Sequence, residues 1–275
     1  MPESRSRGVR RVPARKAAPL TLDDAARILR GEEKETIVRL LLEWAKDDDR
    51  LEDRLLLYAA RQSGPGAGTA AVRRAFESAV RVRGFVDYRG AFHWARNVDD
   101  AIGAIEGLLD LGQAGAVIEL CESALRSLQR AIEHVDDSDG HFSMLSGRLQ
   151  DLHFRACKEA RPEPAALAKR LFEAELSSGF DVFDQAVERY AEVLGPEGLA
   201  AYRREAEREW ALVPARTSER EQSERSRYFR ITRIMESLAR ASGDVEELVS
   251  VMSRDLSSPY NYLCIAEVWR EHGRN

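Results

Sequence analysis

The 275-residue sequence predicts an all-α protein, a divergent α-solenoid of stacked antiparallel helix hairpins with about thirteen helices. Three observations lead there. Apolar residues recur at the helical period almost throughout. Proline is scarce: three of the nine (Pro2, Pro13, Pro19) fall in the first 19 residues, and a β fold would need far more frequent turns than the other six provide. Helices repeatedly end in glycine and restart within a few residues, at Gly112, Gly195, Gly243 and Gly273, and short connections make neighbouring helices antiparallel. The spacing of those glycines is irregular, so the repeat is divergent.

In chain order, Thr21 and Asp24 resemble a capping box, with Leu20 placed as a staple, and open a short helix that runs to Gly31. Ile37, Leu40, Leu41 and Trp44 make one face of the next helix. Asp48 or Asp49 caps a third, with Leu51, Leu55 and Tyr58 in line. SGPGAG (63–68) is the clearest break, after which Thr69 caps a helix. Residues 84–92, with Gly84 and Gly90, read as a loop and a helix start, because a lone strand would have no partner. A long helix to Gly112 carries Trp94, Val98, Ile102, Ile105 and Leu109, and another runs from Ala114 to His134. The turn DDSDG (136–140) precedes a helix that Pro162 and Pro164 end, and the following helix carries Leu167, Leu171 and Leu176. A helix over 180–195 follows, then one opened by Pro196. A polar linker spans about Pro214 to Gln222, and three helices close the chain. The domain expectation is a disordered basic arm (1–19), an N-terminal helical subdomain (20–62) and a helical-repeat domain (69–275).

The net charge of −5 is asymmetric. Arg5, Arg7, Arg10, Arg11, Arg15 and Lys16 face only Glu3 in the arm, so the arm carries +5 and the rest −10. Such an arm cannot bury enough surface to order itself. No transmembrane stretch or secretory signal is present in the sequence. Cys121, Cys157 and Cys264 are far apart and lack CxxC spacing, which points to buried thiols in a reducing, cytoplasmic setting. No GxSxG, HExxH, P-loop or GxGxxG occurs, so the expectation is not an enzyme, with no cofactor. His93 and His153 read as packed or surface residues.

The phrases RGFVDYRGAFHWARNVDDA (83–101), EHVDDSDGHF (133–142), RLFEAEL (170–176), AAYRREAEREWALVP (200–214), FRITRIMESLARASGDVEELV (229–249) and RDLSSPYNYLCIAEVWREHGR (254–274) resemble an uncharacterised bacterial helical domain. In longer relatives that domain lies C-terminal to a SWIM-type zinc finger. The resemblance covers about residues 20–274 and implies a tetratricopeptide-like fold, with no activity attached. The CxC…CxH ligands of the SWIM finger are missing here, so zinc does not carry over.

Three constellations stand out. Residues 69–96 hold Arg73, Arg74, Arg81, Arg83, Arg89 and Arg96 against Glu77 and Asp87, with Phe76, Phe85, Tyr88, Phe92, His93 and Trp94 interleaved. Arginines among aromatics suit an acidic peptide or a single-stranded nucleic acid. The plainer reading packs the aromatics in the core and pairs the arginines with Asp99, Asp100 or other acids. The candidate binding patch is Arg73, Arg74, Arg81, Arg83, Tyr88, Arg89, Trp94 and Arg96. The second constellation, His134, Asp136, Asp137, Asp139 and His141, has the residue types of a cation site but not EF-hand spacing: with Gly140 at the sixth position, Val135 and Ser146 fall where carboxylates are needed. A capping turn explains the same residues. Third, Arg225, Arg230, Arg233 and Arg240 lie opposite the stripe Tyr228, Ile231, Met235 and Leu238, as on a solvated helix face.

These features point to a non-enzymatic protein- or peptide-binding scaffold using a helical-repeat groove. The alternative is a nucleic-acid adaptor using the arm and the 69–96 patch, and a metal-dependent hydrolase at 134–141 ranks below both. In 259–271 the apolar residues Tyr260, Tyr262, Leu263, Ile265, Ala266, Val268 and Trp269 surround the helix. This predicts that the C-terminal helix is covered, by a partner protein or by a second copy of the chain through Tyr262, Ile265 and Trp269.

Overall fold

The computed structural model describes residues 21–48, 51–52, 55–56, 58–59, 65–177, 182–214 and 225–273. The basic arm and nearly all of the 214–222 linker lie outside the described residues. The chain divides into two compact units, Met1–Glu52 and Asp53–Asn275.

In the first unit, α1 (Leu22–Leu29) is opened by the capping box: Asp24 N–H donates to Thr21 Oγ1, and Thr21 N–H donates to Asp24 Oδ2 at 3.1 Å. In α2 (Lys34–Ala45) only Ala45 is buried, and Trp44, placed by its spacing on an inward face, is 53% exposed. Asp48 accepts from Leu51 N–H at 3.2 Å, as its capping position requires.

The second unit holds α3 (Pro65–Val80), α4 (Tyr88–Asp110), α5 (Ala114–Ile132), α6 (His141–Ala160), α7 (Pro164–Ser177), α8 (Ala186–Ala211), α9 (Arg225–Ser242), α10 (Val245–Met252) and α11 (Pro259–Glu271). Each helix packs on a chain neighbour or next neighbour: α3 on α4 and α5, α4 on α5 and α6, α5 on α6, α7 on α8 and α9, α8 on α9, α9 on α10 and α10 on α11. One continuous core runs from Val72 to Val251. No described helix is long and apolar enough to cross a membrane.

Several expectations change. Eleven helices are bounded among the described residues, not thirteen. Gly195 (φ 57°, ψ −173°) breaks the helical geometry inside α8, so the expected helix to Gly195 and the one opened by Pro196 are two helices joined across a kink, and residues 51–59 are only partly described. α3 starts at Pro65, ahead of Thr69, because proline needs no N–H partner in a first turn and its φ is already helical. The helix expected from 180 starts at Ala186, after a turn in which Phe183 and Gln185 take left-handed backbone. The 84–92 segment does find a partner. Val86 N–H donates to His134 O and Asp136 N–H donates to Val86 O, both at 2.9 Å, in a one-residue parallel bridge between Val86 and Val135. Arg230 and Arg233 do not form a solvated face either: Arg230 Nε donates to Leu176 O at 2.7 Å, and Arg233 pairs with Asp184 at 2.7 Å.

Candidate functional site

The 69–96 segment divides into core and surface. Val72, Phe76 and Val80 bury one face of α3. Asp87 caps α4 by accepting from Gly90 N–H at 2.9 Å, and the helical period then turns Ala91, Trp94, Ala95 and Val98 inward. Trp94 therefore leaves the candidate patch: it is buried, and its indole N–H donates to Val80 O at 3.3 Å. Phe85, Tyr88 and Phe92 are 72%, 56% and 59% exposed, and Arg89, His93 and Arg96 share their side of α4. Tyr88, Phe92 and Arg96 recur every fourth residue, which lines them up along one ridge.

The arginines of this surface do not pair as the plainer reading required. Arg74, Arg81, Arg83, Arg89 and Arg96 are exposed and make no ion pair among the described residues, and Arg73 donates to the Ser123 hydroxyl at 3.1 Å. The nearby acids are committed elsewhere. Glu77 accepts from Ser127 at 2.8 Å, Asp87 caps its helix, and Asp99 is held by Arg148 of α6 at 2.5 Å. The surface is therefore cationic and aromatic. Tyr88 marks its edge: its hydroxyl donates to Asp139 at 3.4 Å, and this bond raises the hydroxyl's pKa above the ordinary tyrosine value.

The acidic turn acts as a helix entry. Asp137 accepts from Phe142 N–H at 2.9 Å, Asp136 accepts from the Ser138 N–H and hydroxyl, and Gly140 takes the left-handed backbone just before α6. Those hydrogen bonds hold the Asp136 carboxyl below its ordinary value. Val135, between His134 and Asp136, turns into the core. Among the described residues no group of three or more His, Cys, Asp or Glu side chains is arranged to hold a metal ion, so His134, Asp136, Asp137, Asp139 and His141 are not gathered around one point.

At the C-terminal end, α11 buries none of its residues, and Tyr260, Tyr262 and Leu263 are 69%, 56% and 62% exposed. Ile265 and Trp269 are half-buried.

Two interior polar networks have no motif in the sequence. His153 is wholly buried, with Nδ1 2.8 Å from the Tyr190 hydroxyl and Nε2 3.4 Å from Glu122 Oε1. A neutral ring protonated on Nε2 satisfies both contacts, donating to Glu122 and accepting from Tyr190. Burial holds the imidazole pKa below its ordinary value, against the pull of Glu122. Burial works to raise the Glu122 carboxyl, but His153 and Arg170 together hold it below its ordinary value. The Cys157 thiol lies 3.7 Å from His153 Nδ1, and burial pushes that thiol up to about 12. The second network joins Glu175, Tyr202 and the Gln185 N–H. The only signals in the sequence were polar residues interrupting apolar stripes, such as His153 between Leu149 and Ala156.

The family model described as Family of unknown function (DUF6880) matches residues 18–269. No curated protein and no solved structure matches the chain.

Proposed function

We propose, from the premise that the chain belongs to the DUF6880 family of unknown function, that it is a non-enzymatic binding scaffold for an acidic protein segment. The observation that carries this reading is the unpaired cationic surface of residues 74–96, with Phe85, Tyr88 and Phe92 exposed among its arginines. Exposed apolar surface beside uncompensated charge marks a contact site more sharply than either alone. An acidic segment with an aromatic or aliphatic anchor satisfies both features at once.

The helices are read as divergent tetratricopeptide-like hairpins, since each packs on a neighbour or next neighbour in the chain. A cytoplasmic address and a place beside a SWIM-type finger in longer relatives belong to the same reading. So does a homodimer through Tyr262, Ile265 and Trp269 of α11, supported by that helix's exposed apolar side chains. Light scattering of wild type and Leu263→Glu across concentrations tests it, and a monomer at every concentration rejects it.

A second reading, single-stranded nucleic acid, is favoured by the aromatic rings set between arginines, the arrangement that stacks bases and neutralises phosphates. The −5 net charge opposes it. Fluorescence anisotropy separates the two, with a labelled Glu/Phe-rich peptide in one arm and oligothymidylate in the other. The acidic peptide is expected to bind, and the double substitution Arg89→Glu/Arg96→Glu to weaken it about tenfold or more. Tighter binding of the oligonucleotide would replace the first reading with the second. Peptide affinity untouched by the double substitution would remove both from this surface.

A further inference from the structure

We propose that α2 pairs antiparallel with α2 of a second copy of this chain, across a two-fold axis near residues 40–41. The helix carries apolar side chains on two sides. Ile37, Leu40 and Leu41 are half-buried and Ala45 is buried. On the other side Val38 and Leu42, one turn apart, are 45% and 55% exposed. They lie in a groove of about 440 Å³ whose remaining lining is Glu35, Arg39, Glu43 and Lys46. A surface helix normally keeps its apolar residues on the one face turned to the core, so a second apolar stripe marks a second contact.

The charges identify what makes that contact. Helical projection at about 100° per residue puts Val38 and Leu42 on one edge of the exposed face and the four charges on the other. All four are exposed and make no ion pair among the described residues. Along the chain they alternate: Glu35, Arg39, Glu43, then Lys46 at the C-cap. Read backwards, that order is its own opposite. An antiparallel two-fold contact reverses the order and sets each edge against the same edge of the copy. Glu35 then meets Lys46 of the second copy, Arg39 meets its Glu43, and Val38 meets its Leu42. The midpoints of the three pairings agree within one residue, an offset of ~1.5 Å along the axis that side chains absorb. A parallel pairing would instead set Glu35 on Glu35 and Arg39 on Arg39. A partner of uniform charge would leave half of the edge unanswered. Flanking charges of this kind fix partner and direction in paired helices, and a two-fold contact uses one surface twice and closes.

Light scattering of the full chain carrying Leu263→Glu, across concentrations, tests this without a contribution from α11. A dimer is expected. Leu42→Glu, at an exposed position, should make it monomeric and leave the circular dichroism of the helices unchanged. Arg39→Glu and Glu43→Arg should each weaken association at least about tenfold, because each sets like charges together in both cross-pairs. An equimolar mixture of those two variants should dimerise again, since one chain then carries acids at 39 and 43 and the other carries bases. Such rescue arises only between chains. A monomer at every concentration in the Leu263→Glu background would overturn the proposal, whether or not α11 joins copies of the wild type. So would a dimer unmoved by Leu42→Glu, or a mixture no tighter than either charge variant alone. Should Leu42→Glu unfold the first unit, the mixture decides. The contact shares no residue with the 74–96 surface or with α11, so each reading can fail without the others.

Discussion

The Tyr202 hydroxyl donates to Glu175 Oε2 across 2.5 Å in the interior between α7 and α8, and the Gln185 N–H donates to Oε1 of the same carboxyl at 3.1 Å. Glu175 is only 8% exposed, and burial pushes its carboxyl up to about 7. The native state therefore keeps a proton that the unfolded chain releases near its ordinary value. Stability from this group is fully present below the unfolded pKa and falls as pH rises through about 7. Chemical unfolding between pH 5 and pH 8 should show the loss, at most roughly 3 kcal/mol, and Glu175→Gln should flatten it. A wild-type slope retained in the variant would assign the proton elsewhere.

His153 has the opposite dependence. Its folded pKa is held below the ordinary imidazole value, so the unfolded chain takes up a proton first as pH falls. Its contribution is present above about pH 6.5 and is lost as pH drops towards the folded pKa. An NMR titration should show the His153 ring still neutral at pH values where imidazoles of the unfolded chain take up protons. Protonation of His153 in the native protein at the ordinary imidazole value would contradict the buried network.

The three thiols should react at different rates. Cys121 and Cys157 are buried, and burial raises the pKa of both, so little thiolate exists to react. Cys264 on α11 is half-exposed. Iodoacetamide should label Cys264 in the native protein and the other two only with denaturant. Mass spectrometry finding Cys157 labelled first would show that α6 opens locally.

Two helical glycines should differ in sign. A Cβ at Gly198 would meet Leu194 Cβ at 2.9 Å and the Pro164 carbonyl at 3.1 Å, where α8 closes on the start of α7. Gly198→Ala should cost about 1–3 kcal/mol. At Gly147 on α6 a Cβ meets nothing within 4 Å, so Gly147→Ala should stabilise by about 0.5–1 kcal/mol. Urea unfolding of both variants checks the pair, and equal effects would contradict the packing at Gly198.

Local order was legible in the sequence because helices are local. An i→i−4 hydrogen bond, an apolar stripe and a capping side chain all act within a few residues. Thr21 with Asp24, the prolines around Glu163 and the stripe from Trp94 to Leu109 were therefore readable, and all appear as expected. The tertiary structure alone decided which distant residues meet. His153 and Tyr190 are 37 residues apart, Arg233 and Asp184 are 49, and Ser127 and Glu77 are 50. The Val86–Val135 bridge also depends on how α4 and α5 are placed. The same placement commits Glu77 and Asp99 to other helices and leaves the patch arginines uncompensated. Residue types alone could not reveal that, because whether a charge is answered depends on the neighbours that packing supplies, not on its neighbours in the chain.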